Sequence, residues 1–250
     1  MEAPHYLAAL QADATRLAEV ARKGLDAPVP PCPGWTVSDV VEHVAVVYLH
    51  KVETMRRQAP PRPWPPDVSG REPLELLAEA HAALVAELRA RGPEAPSPTW
   101  YAPDQTVGFW YRRMAQETAV HRCDVESAHG PMTPVDPELA ADGVDEVLVC
   151  MLAGGVGEVP DDEVGGRSLD LAVRGPHAAT WRVRCGRDEV TVVRHDTDPG
   201  IADVADAVVT GDPEDVLLWC WGRGPLDRLE VEGDPVVVAA LRRRLALATR

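Results

Sequence analysis

The stretch QETAVHRCDVESA, residues 116–128, decides how this chain is read. It carries Glu117 and His121 four residues apart, and on a helix side chains at that spacing share one face. A carboxylate and an imidazole so placed make half of a metal site, and the third ligand must come from another segment. Working outward, TVSDVVEHVAVVYLHKV, residues 36–52, offers His43. Val40, Val44 and Val47 surround it at helical spacing, so its face points toward a core. Two histidines and one glutamate with an open fourth position form the pattern of a catalytic zinc site rather than a structural one. The competing readings are an exposed ion pair for Glu117 and His121, and a hydrogen-bonded core histidine for His43. Three ligands converging on one interior favour the metal. The same donor set also accepts iron, nickel or manganese, so the expected cofactor is a divalent metal, with zinc preferred.

The surrounding sequence supplies the scaffold. Apolar residues recur at helical spacing from about Pro4 to Lys23, from Thr36 to about Gln58, from Pro73 to Arg91 and from about Gly108 to His129. Between them, PVPPCPGW, APPRPWPPDVSG and GPEAPSPTWYAPDQTV are too rich in proline for regular structure. Thr36 and Asp39 form a capping-box pattern at the second helix. Four helices joined by irregular loops predict a four-helix bundle, whose interior is where facing helices place metal ligands.

The pattern changes after about residue 165. LDLAVRG, TWRVRCG and EVTVVRH alternate at period two and predict a three-strand antiparallel meander, with DAVVTG as a further strand. GDPEDVLLWCWGRG opens on Asp212 and Pro213 and closes on glycine, as a helix does. LEVEGD predicts a short strand and DPVVVAALRRRLALA a terminal helix. The expected organisation is therefore a helical domain over 1–155 and an α+β domain over 165–250, with the boundary in MLAGGVGEVPDDEVGG.

Composition narrows the function classes. The chain has 250 residues, 45% hydrophobic and 26% charged, with a net charge of −15. Such an acidic surface argues against a nucleic-acid or anionic-membrane partner. No stretch has the apolar length of a membrane span, and the amphipathic start MEAPHYLAALQADATRLAEVARKG lacks the form of a signal peptide. Five scattered cysteines without C-x-x-C spacing read as reduced thiols. A cytoplasmic monomer is expected. Lysine occurs only at Lys23 and Lys51 and phenylalanine only at Phe109, the codon signature of a GC-rich genome such as an actinobacterium's.

Three segments carry a resemblance: CPGWTVSDVVEHV, then QETAVHRCDVESA, then GDPEDVLLWCWGR followed by LEVEGD. In this order they are similar to the mycothiol-dependent maleylpyruvate isomerase family, over nearly the whole chain. The resemblance implies a DinB-like four-helix bundle followed by a small α+β domain of sterol-carrier type. It places the family's metal ligands on His43, Glu117 and His121 and its functional arginine on Arg223. For Arg223 a helix-end arginine held by the carbonyls there is the competing reading. The implied chemistry is addition of a metal-bound mycothiol thiolate to a small-molecule electrophile. It ends either in cis–trans isomerisation of maleylpyruvate or in transfer of the thiol to the electrophile. The alternatives are a metal-assisted hydrolase, and a non-catalytic small-molecule binding protein with a structural metal.

The remaining candidates carry less. Asp124, three residues after His121, suits a partner for the imidazole N–H or an ion pair with Arg122 or Arg113. His50 is expected at the bundle end and not as a ligand. His5, His81, His129, His177 and His195 have no partner pattern, and Trp35 and Trp110 suit pocket walls or packing. Cys32 and Cys123 lack the histidine pairing of a nucleophile and read as inert.

Overall fold

The computed structural model describes residues 1–154, 164–186, 189–195 and 203–249. The chain divides into two compact units, Met1–Thr133 and Pro134–Arg250.

The first unit is the expected bundle. Its helices are α1 (Ala3–Ala21), α2 (Val37–Arg57), α3 (Pro73–Arg91) and α4 (Val107–Ser127). Helix α1 packs along α4 and α2 along α3, and α2 also meets α4. The capping box at α2 is formed: Asp39 N donates to Thr36 Oγ1 while Asp39 Oδ2 accepts from Thr36 N at 2.7 Å. Gly92, at φ +76°, closes α3 in a conformation that side chains rarely adopt.

The two proline-rich loops before α2 and α4 have the same build. In one, Pro28 bridges Thr36, Val37 N donates to Ala27 O and Ser38 N to Leu25 O. In the other, Pro96 bridges Thr106, Val107 N donates to Ala95 O and Gly108 N to Pro93 O. Proline supplies no donor, so these loops dock through the helix-opening amides that would otherwise lack partners. The two helices that bear the candidate ligands are thus launched in the same way.

Helix α4 is the polar spine of the unit. Arg113, Gln116, Thr118, His121, Arg122, Asp124 and Glu126 are all buried on it. Each buried polar group needs a partner. Glu126 accepts from Arg16 Nε at 2.6 Å, Arg122 Nη1 at 2.8 Å and Thr133 N at 2.8 Å, and Arg122 also donates to Asp13. Thr118 Oγ1 lies 2.5 Å from Tyr48 Oη, tying α4 to α2.

The second unit holds α5 (Pro137–Asp145), a π-helical segment (Glu146–Leu152), β1 (Arg167–Val173), β2 (Ala179–Cys185), β3 (Val190–Arg194), β4 (Ala207–Gly211), α6 (Pro213–Cys220), β5 (Glu230–Gly233) and α7 (Pro235–Ala248). The sheet order is β3-β2-β1-β4-β5. The expected meander is present, with β1–β2 and β2–β3 antiparallel, whereas β4 joins β1 in parallel. Asp170 and Arg182 face each other across β1 and β2 and pair, Oδ2 to Nη2, at 3.0 Å.

The division after Thr133 falls ahead of the 1–155 and 165–250 boundary expected from sequence. Helix α5 packs on α6, and Trp181 Nε1 on β2 donates to Asp145 Oδ1 at its end, so the segment shares the core of the second unit. Residues 155–163 of the expected linker lie outside the described residues. Among the described residues no helix is long and apolar enough to cross a membrane.

Candidate metal centre

Thr36 fixes where α2 begins, and His43 follows two turns into that helix. Glu117 and His121 lie one turn apart on the buried helix α4. The structure brings the three together: one ligand atom from each lies within 4.8 Å of the others. His43 Nε2 lies 3.2 Å and His121 Nε2 lies 3.3 Å from the same atom, Glu117 Oε1. The two imidazole rings are 4.9 Å apart, near edge-on. A site open on one side results, since His43 is part-exposed and His121 buried.

Two further residues set the orientation of these groups. Asp124, fully buried, has Oδ2 at 2.9 Å from His121 Nδ1. With the proton on Nδ1, His121 Nε2 presents its lone pair toward Glu117, the arrangement that metal-binding histidines use. Of the partners considered for Asp124 from sequence, the imidazole is in contact with it; Arg122 pairs with Asp13 and Glu126, and Arg113 with Glu117. Arg113, only 4% exposed, donates from Nη2 to Glu117 Oε2 at 2.5 Å. That leaves Oε1 as the oxygen turned to the histidines.

The electrostatics fit a cation at this point. Burial alone would raise the Glu117 carboxyl, but His121 and Arg113 outweigh it and hold the carboxyl well below its usual range. Burial likewise works against charge on His121, yet Glu117 and Asp124 push it up to about 9. Protein carboxylates here hold a proton on an imidazole, and a divalent cation would satisfy the same field with the imidazole neutral. Two imidazole nitrogens and one carboxylate oxygen, with a carboxylate behind one imidazole, suit zinc or another divalent transition metal.

Beside His43, Trp35, Glu42, Val46 and Pro65 line a cavity of about 340 Å³. Trp35 is 37% exposed, with its ring centroid 5.2 Å from that of His43. Cys32, from the same loop, donates its thiol to Asp124 Oδ2 at 3.5 Å. Sequence spacing gave no sign of that contact, because the two residues are far apart in the chain. Cys123 is buried and its thiol is pushed up to about 12, in keeping with an inert role.

Other candidates fall elsewhere. His50 Nδ1 sits 3.3 Å from Lys51 Nζ and its ring stands edge-on to Trp64. Burial, with Lys51 beside it, pulls His50 down to about 4. Lys51 lies over the Trp110 ring, 4.9 Å from its centroid. His195 lies 3.2 Å from Asp170 on the sheet of the second unit. Arg223 follows α6 in that unit; its Nη1 donates to Trp221 O at 2.7 Å and its guanidinium lies over the Trp221 ring.

The comparisons agree on one family. The mycothiol maleylpyruvate isomerase N-terminal domain matches residues 6–126. The C-terminal domain of the same family matches residues 138–240. Among functionally curated proteins, none matches the sequence significantly. Solved structures that share the fold include the mycothiol-dependent maleylpyruvate isomerase and a histidine-to-alanine mutant of it. Each aligns over 93% of this chain and 93% of its own, at 16% identity and a TM-score of 0.57. With its two halves matched in order by the two domains, the chain belongs to the mycothiol-dependent maleylpyruvate isomerase family.

Proposed function

We propose that this protein is a metal-dependent, mycothiol-using enzyme that isomerises a small unsaturated acid of the maleylpyruvate type. The observation that carries the reading is the convergence of His43 Nε2, His121 Nε2 and Glu117 Oε1, in a chain of this family. When bound there, a divalent metal supplies the positive charge that keeps a thiol ionised near neutral pH. Addition of the thiolate to the conjugated double bond, rotation about the resulting single bond and loss of the thiol convert cis to trans. The covalent route divides one difficult rotation into easier steps.

The roles of the protein groups follow from their contacts. His43, Glu117 and His121 hold the metal. Asp124 keeps His121 in the tautomer that leaves Nε2 free, and Arg113 fixes the second oxygen of Glu117. Trp35 and the prolines beside it form a wall that limits water at the open side of His43. Arg223 binds a carboxylate of the substrate, for which a planar guanidinium is suited.

Purified zinc-loaded protein, given mycothiol and maleylpyruvate, should convert the cis isomer to the trans isomer, read from the vinyl-proton coupling by NMR, only when both metal and thiol are present. Turnover that persists without mycothiol would overturn the reading. Conjugation of a model electrophile without turnover of maleylpyruvate would move it to a thiol transferase, which uses the same groups.

A further inference from the structure

The second unit contains a cation for which the described residues offer no counter-ion. Arg242 extends from α7 to the end of α6, and its Nη1 atom is buried with no hydrogen-bond partner. Among the described residues no carboxylate pairs with it. The groups that act on its charge are Cys220 and Arg223. Cys220 offers no anion, because burial pushes its thiol up to about 12. Arg223 is a second cation. Burial pulls Arg242 below its usual range; Cys220 acts the other way, and the Arg223 charge adds a smaller push downward. A guanidinium nevertheless stays charged at any physiological pH, so among the described residues this is an uncompensated cation beside another.

Such an arrangement opposes folding unless something else satisfies it. The local backbone is shaped to admit it. Gly222, between Trp221 and Arg223, sits at φ +73°, and a β-carbon there would overlap the Arg242 guanidinium. Gly222 is exposed and Arg223 and Arg242 are half-buried, so solvent species can reach the pair. Arg223 is already oriented, by its bond to Trp221 O and by the Trp221 ring beneath it.

We propose that Arg242 and Arg223 together form a binding site for the carboxylate of a small organic acid at the end of α6. Two planar guanidinium groups match a carboxylate's paired oxygens. A monovalent carboxylate suits the position better than phosphate, since the carbonyl end of α6 carries partial negative charge. The site extends the role proposed above for Arg223, but it stands on the second unit alone. Its test uses neither thiol nor turnover, so it can fail while the thiol chemistry stands, and the reverse.

Titration calorimetry of the full chain with maleate and, separately, with inorganic phosphate reads the site. Maleate should bind, and Arg242→Met should weaken it about 10- to 100-fold, the effect of losing charge-assisted hydrogen bonds. The same variant should melt no lower than wild type without ligand, because an uncompensated charge has been removed; a residue with a purely structural role would melt lower. Arg242→Lys should bind maleate with intermediate strength. Independently of any variant, maleate should protect Arg242 from phenylglyoxal, as mapped by mass spectrometry. Unchanged maleate affinity in Arg242→Met, binding of phosphate but not maleate, or no protection at Arg242 would each overturn the proposal.

Discussion

Asp124 governs how His121 presents its ring. Its carboxylate is fully buried and bonded to Nδ1, so its removal frees the imidazole to rotate and to change tautomer. Asp124→Ala should weaken metal binding about 10- to 100-fold, as measured by competition with a chromogenic chelator. Equal affinity would show that packing alone orients the ring. A pH effect follows from the same cluster. In metal-free protein His121 is raised to about 9 from an ordinary 6.5, so its charged form stabilises the fold. That contribution is complete below pH 6.5 and is lost as pH rises through 9. Melting temperatures of metal-free protein should therefore fall across this window, while metal affinity rises because fewer protons must be displaced. A metal-free melting temperature that rises over the same range would contradict the assignment.

At the scale of elements, the ligand-bearing helices depend on their first turns. Thr36 and Asp39 satisfy each other's backbone groups and hold the start of α2, two turns before His43. Thr36→Ala should cost about 1 kcal/mol of stability, read by denaturant titration, with metal stoichiometry unchanged. A loss below a few tenths of that figure would mean that the Pro28–Thr36 bridge alone sets the helix start. These caps were legible in the sequence, as were all four helices and the meander, because they rest on local chemistry and on periods of 3.6 and 2 residues. Helix α5 and the π-helical segment were not marked. Helix α5 has only nine residues and runs directly into the π-helical segment, where the spacing departs from 3.6, so the two together sustain no single helical period. The parallel pairing of β4 with β1 was equally hidden, since strand order is set by the crossover and not by the pattern within a strand.

For the whole molecule, the division after Thr133 has a consequence. Arg16, Arg122, Glu126 and Thr133 satisfy one another inside the first unit, as do the candidate ligands and their supports. A fragment of residues 1–133 should therefore fold as a helical unit and bind one metal ion through His43, Glu117 and His121. Circular dichroism and metal analysis would check this; a fragment that is helical yet binds no metal would sink the assignment of ligands.

Sequence by itself determined that Glu117 and His121 share a face, because the pitch of a helix settles the relation between residues one turn apart. It also located His43 on an apolar face, from the valines around it. Only the tertiary structure decided that the three meet, that Asp124 holds the His121 imidazole, and that Cys32 reaches Asp124. Arg242 is the same kind of case: nothing in its own segment shows that its Nη1 is buried without a hydrogen-bond partner among the described residues. The physical reason is common to all of these. Backbone geometry acts over a few residues and can be read along the chain, whereas the choice among charged partners depends on which of them packing and burial bring together.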